Sequence, residues 1–379
     1  MNTDAEYMQR AIRLAARGRY TTDPNPNVGC VIVSDGEIVG EGWHQRAGEP
    51  HAEIHALNQA GERANGATVY VTLEPCSHTG KTPPCATALV RAGVKKVIAA
   101  MMDPNPLVAG KGLIKLHQAG IETDSGLLEE QARALNPGFI KRMVTGRPYV
   151  RVKLAMSLDG RTAMASGESQ WITGEAARRD VQYLRAQSSA ILTGISTVLY
   201  DDPSMNVRLS AEDLGLQALE VNEVRQPKRI VLDSEHKMLS QARIFASEGE
   251  SAGGECIVYT TVDVDNKTDY PYTIETITAR EGRIDLNALL TDLGKKEINL
   301  VHVEAGSVLC GALLQQELVD EIVVYMAPHI MGDGARGLFH LPGLSQMQDR
   351  VKLKIKDVRH IGDDIRLTFT PENIAGRKQ

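Results

Sequence analysis

The chain has 379 residues, more than one ordinary hydrophobic core organises, so two domains are the expectation. Hydrophobic residues make up 42% and charged residues 24%, the usual mix of a globular protein, and no apolar run reaches the length of a membrane span. A net charge of −6 argues against affinity built on nucleic-acid phosphates, and five cysteines, an odd number in a long chain, form no disulfide framework and point to a reducing cytoplasm.

The start, "MNTDAEYMQRAIRLAARG", reads as an amphipathic helix rather than a secretory leader. Thr3 and Glu6 predict a capping box, with apolar positions at Tyr7, Ala11, Leu14 and Ala15. "VGCVIVSDGEIVGEGW" predicts two strands around an Asp35-Gly36 turn. A helix is expected from His51 to Ala60 and a strand in "ATVYVTLEP". "TPPCATALVRAG" predicts a helix capped by Thr82, with prolines in its first turn. "KKVIAAM" predicts the next strand, a helix runs to Gly120, and "LLEEQARALNPGFIKRMVTG" closes the unit. This alternation implies a sheet with helices on both faces.

"TGRP", residues 145–148, marks a boundary between domains 1–147 and 148–379. Beyond it, strands are expected in "YVRVKLAMSLDG", "SAILTGI", "KRIVLD", "GECIVYT" and "DEIVVYMAPHI", with a helix near 175–187. "INLVHVEAGSVLCGALLQQ" predicts a strand, a glycine turn and a helix, and two strands around "VKLKIKDV" and "IRLTFTP" end the fold. Residues 210–225 and 245–280 are polar and irregular and read as surface loops.

The chemistry starts at "PHAEIHAL", residues 50–57. His51 and His55 share a helical face, but Ala52 separates His51 from Glu53, so the H-E-x-x-H protease pattern fails. "HAE" followed by "EPC" and a second cysteine instead matches the zinc deaminase signature. His51, Cys76 and Cys85 give one imidazole and two thiolates. Such a three-ligand set leaves a position for water, as catalytic zinc requires. Zinc lowers the pKa of that water toward ~7, and Glu53 is free to take a proton from it and pass one to the ring nitrogen and the leaving amine. Cys85 is expected in the first turn of its helix, where the dipole favours a thiolate. Zinc deaminases commonly space their cysteines C-x-x-C, whereas here "SHTGKTPP" is inserted, carrying His78 and Lys81 as candidate anion contacts. A structural zinc completed by His78 or His55, a redox pair and plain buried thiols are the alternatives. His55 fits a packed residue better than a ligand, and Cys30, Cys256 and Cys310 read as small core hydrophobes.

"TTDPNPNVGCVIV", "GEGWHQRAGEPHAE", "YVTLEPCSHTGKTPPC" and "DPNPLVAGKG" together resemble the deaminase half of the bifunctional riboflavin-biosynthesis deaminase–reductases of bacteria. "KLAMSLDGRTA", "SQWITG", "TGISTVLYDDPSMNVR" and "VEAGSVLCGALL" resemble the reductase half, and the likeness spans nearly the whole chain. The resemblance implies an α/β chain: a cytidine-deaminase-like α/β/α layer domain, then a dihydrofolate-reductase-like α/β domain. It implies zinc hydrolysis of the 2-amino group of 2,5-diamino-6-ribosylamino-4-pyrimidinone 5′-phosphate, then NADPH reduction of the ribosyl group to ribityl. His51, Cys76 and Cys85 become zinc ligands and Glu53 the proton shuttle. Asn27, His44, His78 and Lys81 become contacts to pyrimidine or phosphate. Ala155, Trp171, Thr197, Asp201, Ser234 and the loop Gly306, Ser307, Val308, Leu309, Cys310, Gly311 and Ala312 fall to NADPH. Ser169, Arg185, Met205, Arg208 and Glu304 fall at substrate positions.

On their own chemistry, Gly306 and Gly311 sit where a strand turns into a helix, and free N–H groups there suit a phosphate, though this is not G-x-G-x-x-G. Arg185 and Arg208 suit a phosphate clamp, and Lys153 and Glu304 are candidates for polarising the sugar. Trp171 is alternatively a core anchor. The expected partner is a small phosphorylated pyrimidine, with no nucleic acid and no membrane, and the expected assembly is a homo-oligomer, dimer or tetramer. A nucleic-acid deaminase would share the zinc and Glu53 but leaves the second domain unexplained. A structural zinc module is the non-enzymatic rival.

Overall fold

A computed structural model describes residues 3–77, 84–106, 108–216, 223–246, 249, 252–264 and 269–372. The chain divides into two compact units, Met1–Arg147 and Pro148–Gln379.

The first unit runs α1 (Asp4–Ala15), β1 (Gly29–Ser34), β2 (Glu37–Trp43), α2 (Ala52–Ala60), β3 (Thr68–Val71), α3 (Cys85–Ala92), β4 (Lys96–Ala99), α4 (Lys111–Gln118), β5 (Glu122–Ser125), α5 (Glu129–Leu135) and α6 (Pro137–Thr145). Its sheet has the order β2-β1-β3-β4-β5. The pairings of β1 with β2 and β3 are antiparallel, and the other two are parallel. The Thr3–Glu6 capping box forms in both directions, and Asp35 and Gly36 make the β1–β2 turn with φ of 52° and 81°. Strand β5, "ETDS", is absent from the sequence reading because a short polar edge strand shows no apolar alternation. Thr82 lies outside the described residues. The N-cap of α3 is Pro84, whose extended ψ of 136° delays the helix to Cys85.

Both faces of this sheet are covered. Ala52, Ala56 and Ala60 of α2, Leu89 of α3 and Leu116 of α4 pack with Cys30, Ile32, Val69, Val71 and Val97 on one face. Tyr7, Met8, Ala11 and Ile12 of α1 and Ala132 of α5 pack with Val31, Val33, Tyr70 and Ile98 on the other. Helix α2 lies unusually close to β2. A Cβ at Gly40 would sit 2.2 Å from the Ala56 carbonyl oxygen, and one at Gly42 would sit 2.3 Å from that of Ala52. These two glycines and the alanine face of α2 fix how deep the helix start, with His51 and Glu53, is set.

The second unit contains β6 (Tyr149–Ser157), β7 (Arg161–Ala163), α7 (Glu175–Ala186), β8 (Ala190–Gly194), α8 (Ile195–Asp201), β9 (Lys228–Leu232) and β10 (Cys256–Thr260). It continues with β11 (Thr273–Thr276), β12 (Ala279–Arg280), β13 (Arg283–Ile284), α9 (Leu286–Lys295), β14 (Leu300–Val303), α10 (Ser307–Gln315), β15 (Glu321–Ala327), β16 (Arg336–Gly337), β17 (Leu353–Ile361) and β18 (Asp364–Pro371). The main sheet has the order β11-β10-β9-β8-β14-β6-β15-β18-β17, parallel from β11 to β15 and antiparallel at β18 and β17. Regions 210–225 and 245–280 are not wholly surface loop. Leu214, Leu216 and Tyr272 are buried, and β11 extends the parallel sheet. Their apolar residues are too sparse to show a period, and burial comes from contacts distant in sequence. Cys256 and Cys310 are buried among apolar side chains, as their sequence context predicts.

The topology opens a crevice. The chain leaves β8 toward β9 and the β11 edge, but leaves β14 toward β15 and the opposite edge. Connections that diverge from neighbouring parallel strands leave a cleft at the strands' carboxyl ends, where α/β proteins bind ligands. Here α8 starts directly after β8 and α10 after Gly306, so both helix N-termini flank that cleft.

Substituting Gly42→Ala is expected to lower the stability of the first unit by about 1–3 kcal/mol, because α2 must move off β2 to admit the methyl group. Chemical denaturation of the full chain, read alongside its zinc content, measures this. An unchanged transition would show that the helix does not depend on this approach.

Candidate metal centre and reductase site

His51 is the N-cap of α2, Cys76 follows the β3 strand end, and Cys85 is the first residue of α3. Their donor atoms all lie within 4.8 Å of one another. His51 Nδ1 is 3.6 Å from Cys76 Sγ and 3.3 Å from Cys85 Sγ. Tetrahedral zinc with ordinary Zn–N and Zn–S bonds sets N···S edges of about 3.5 Å, so this donor set fits zinc. The Cys85 N–H also donates to Cys76 Sγ at 3.3 Å. The Cys85 thiol, that amide and His51 together pull Cys76 down to about 4, while the hydrogen bond to Cys76 and burial push Cys85 up. His55 stands outside the three-donor group, as expected.

Glu53, in the first turn of α2, is 3% exposed and is not part of the donor group. Burial raises its carboxyl to about 7, with His51 opposing the shift. His44 is buried with its ring edge-on to His51, centroids 5.3 Å apart. Its Nδ1 lies 3.1 Å from the Pro50 carbonyl oxygen and its Nε2 lies 3.0 Å from Asn25 Nδ2. Those partners suit a neutral ring with hydrogen on Nδ1, and burial lowers its pKa to about 4. Asn27 is less available. Its Nδ2 donates to the Leu135 carbonyl at 3.1 Å and its Oδ1 accepts from Thr22 at 2.9 Å, which ties down the segment before β1. His78 and Lys81 lie outside the described residues.

Sequence reasoning missed Glu74. Its buried carboxylate accepts from the backbone N–H groups of Gly110 and Gly112, each at 2.8 Å, and of Asp103 at 3.1 Å. It thereby ties the 103–112 segment to the turn that delivers Cys76. The readable signal was a charged residue at the end of an apolar strand.

In the second unit, Arg185 of α7 and Glu304 after β14 form a two-pronged ion pair, Nε to Oε1 at 2.6 Å and Nη2 to Oε2 at 2.9 Å. Arg185 Nη1 donates to the Asn206 carbonyl at 2.9 Å, and Arg208 Nη1 donates to Asn206 Oδ1 at 3.1 Å. The two arginines thus meet at Asn206, but Arg185 is buried and bound to a carboxylate, so it is not the free clamp the sequence suggested. Burial opposes charge on Glu304, yet Arg185, His302 and Lys153 hold its pKa well below the usual range. Burial lowers Lys153. Sequence reasoning also missed His302, fully buried beneath Glu304.

The expected cofactor residues divide by where they face. Gly306 is exposed, and a Cβ there would meet nothing within 4 Å. Val308 is exposed and Leu309 and Ala312 are half-buried, along the first turns of α10. Ser307 and Cys310 are buried, and Gly311 is needed for packing, since its Cβ would sit 2.1 Å from the His340 carbonyl oxygen. Gly311 is thus fixed by packing against the 340 segment. Thr197 and Asp201 lie on α8 and Ala155 on β6, all reachable from solvent. Ser234 Oγ accepts from the Ile284 N–H at 3.3 Å. Met205 is buried in an apolar cluster, so its side chain is core. Ser169 is half-buried. Trp171 is 70% exposed beneath Arg178, at 4.7 Å, and is not a core anchor. The exposed helix start at Gly306, open to an approaching phosphate, fits a dinucleotide.

Comparison with known proteins settles the family. Residues 148–367 match the family described as the RibD C-terminal domain, and residues 1–101 match the cytidine and deoxycytidylate deaminase zinc-binding region. The riboflavin biosynthesis protein RibD of Escherichia coli K12 is 56% identical over 365 residues, covering 96% of this chain and 98% of that protein. The chain belongs to the RibD family. The RibD structure from Acinetobacter baumannii matches with TM-score 0.88 and 49% identity, over 98% of this chain and 99% of the other. The diaminohydroxyphosphoribosylaminopyrimidine deaminase/5-amino-6-(5-phosphoribosylamino)uracil reductase of Thermotoga maritima matches with TM-score 0.82 and 33% identity, over 97% and 98%. A cytidine-deaminase-like unit thus precedes a dihydrofolate-reductase-like unit. The protein is a bifunctional deaminase and reductase of riboflavin biosynthesis, with zinc and NADPH as its cofactors.

Cys76→Ser is expected to cut bound zinc to well under one ion per chain, whereas Cys30→Ser, outside the donor group, leaves it at one. Metal analysis of the purified variants reads this directly. Full zinc in the Cys76 variant would remove it from the ligand set.

Proposed function

We propose that His51, Cys76 and Cys85 hold the catalytic zinc and that Glu53 is the proton carrier for deamination of a diaminopyrimidine ribosyl phosphate, the substrate class named for the Thermotoga relative. The observation that supports this best is the three-donor cluster at zinc-compatible distances with a buried carboxyl beside it but outside it. Bound zinc supplies the Lewis acidity that makes water a nucleophile near neutral pH. Glu53 takes a proton from the attacking water and gives it to the ring nitrogen, then takes the proton of the newly added hydroxyl and gives it to the amine, which leaves as ammonia while the carbonyl forms. His44, neutral and fixed by Pro50 and Asn25, lines the base side of the site.

In the reductase, NADPH supplies the hydride to C1′ of the opened sugar. The Gly306 turn and the first turn of α10 would receive its phosphates, with Thr197 and Asp201 of α8 as further contacts. Lys153, its pKa lowered by burial, protonates the imine nitrogen, while Glu304 anchors the sugar. Arg208, exposed beside the cleft, contacts the phosphate, and Arg185 holds Glu304. His78 and Lys81 serve the deaminase substrate. The protein works in the cytoplasm: all five cysteines are free, and among the described residues no helix is long and apolar enough to cross a membrane. It assembles as a homo-oligomer, a reading supported by the exposed Leu353, Ile355 and Val358 on edge strand β17.

Glu53→Ala is expected to keep one zinc per chain and abolish ammonia release. Release at the normal rate would remove Glu53 from the chemistry and favour a non-catalytic zinc module. A Cβ at Gly306 meets nothing within 4 Å, so in Gly306→Val the fold and deamination should survive while NADPH binds at least tenfold more weakly, a loss of about 1.4 kcal/mol. Titration of the nucleotide tests this, and unchanged affinity would move the cofactor off this turn.

A further inference from the structure

The buried charges beneath the reductase cleft form one continuous seam. In sheet register, His302 of β14 faces Ile191 of β8 on one side and Arg151 of β6 on the other, and Arg151 in turn faces Glu321 of β15. Arg151 and Glu321 are ion-paired. Two residues beyond His302, just past the end of β14 and still bonded through its N–H to the Leu192 carbonyl at 3.0 Å, stands Glu304 on the same face of the sheet, with Lys153 two residues beyond Arg151. Arg185 descends on Glu304 from α7.

His302 is 0% exposed, and its Nε2 lies 3.4 Å from Glu304 Oε1. Neither ring nitrogen makes a formed hydrogen bond among the described residues, so the Glu304 carboxylate is a close approach that a small shift would close. A buried polar group without a partner is costly, and Glu304 is the anion within its reach. We propose that His302 is a positioning residue of the reductase, donating from Nε2 to Glu304 and so holding that carboxylate ionised and oriented beside Lys153.

The charges around the ring fix its form. Arg151 from β6 and Arg185 from α7 both oppose a third cation, Glu304 favours one, and burial outweighs Glu304, so the imidazole stays neutral. Lys153 from β6 and Arg208 also face Glu304, and the Cys310 thiol of α10 is kept protonated by burial. A neutral donor adds a hydrogen bond to Glu304 without adding charge to a site already rich in cations. Packing alone would be served equally well by an apolar side chain of this size, and would not place a ring nitrogen toward the carboxylate.

The proposal rests on the assignment of Glu304 to the reductase site, and the test separates the two. Full-length His302→Asn, His302→Gln, His302→Leu and Glu304→Gln proteins are assayed for NADPH oxidation across pH, with ammonia release by the same chains as the internal control. His302→Asn and His302→Leu are expected to lower reductase kcat by roughly tenfold, the scale of a lost hydrogen bond to a charged group, with KM for NADPH unchanged. Their acid limb moves to higher pH, because Glu304 loses a donor that favours its ionised form. His302→Gln, whose amide nitrogen can take the place of Nε2, restores most of the activity and the normal profile. Should His302→Leu fail to fold, the near-isosteric Asn and Gln variants carry the comparison. Wild-type kcat and pH profile in the Asn variant would overturn the proposal, as would equal losses in Asn and Gln with no change of profile. If Glu304→Gln is inactive while all His302 variants are normal, the proposal alone falls. If Glu304→Gln reduces substrate normally, the reading of Glu304 falls and the proposal with it.

Discussion

In the deaminase unit the convergence of three donor side chains from separate parts of the chain is the constraint on which the rest depends. His51, Cys76 and Cys85 come from a helix cap, a strand end and a helix start, yet their donor atoms lie within 4.8 Å of one another. Two helix N-termini pointing at one cation would repel it, and the negative sulfurs compensate. Helix α2 reaches the required depth because Gly40 and Gly42 of β2 carry no side chain against it. Glu74 fixes the other side, binding backbone N–H groups of the 103–112 segment two residues before Cys76. The same closeness that gathers the donors also buries Glu53, which raises its carboxyl toward neutrality and suits it to carrying protons in both directions.

The reductase unit solves a different problem with charge alone. Its cleft lies where the chain leaves β8 and β14 in opposite directions, and the floor of that cleft is a seam of buried ions rather than an apolar layer. Such a seam stabilises little by itself, since burying charges is costly, but it holds each member in one orientation. Arg185 illustrates the trade: it is committed to Glu304 and Asn206, while the more exposed Arg208 is bonded to Asn206 alone among these groups.

Much of the metal site was legible in the sequence because its chemistry demands particular residue types at particular places. "HAE" and "PC" single out residues that the fold then brings together, a three-donor cluster able to hold a metal ion with a buried carboxyl outside it. Glu74, Asn25 and His302 were not legible. Each acts by orienting another group, and nothing in one sequence distinguishes a buried polar residue with a partner far along the chain from an ordinary surface one. The glycines show the same limit: Gly306 and Gly311 look alike in "AGSVLCGALL", but one faces open space and the other the His340 carbonyl.

The elements followed a similar division. Strong periods and turn chemistry determined α1, the β1–β2 hairpin and the parallel core strands. Short polar strands such as β5 and β11 carry no period of their own and form only because a neighbouring strand offers its unpaired edge. The sequence by itself determined which side chains could do chemistry, since composition and spacing are local. The tertiary structure alone decided which of them face a ligand and which hold the others, because burial and pairing arise from contacts between residues far apart in the chain.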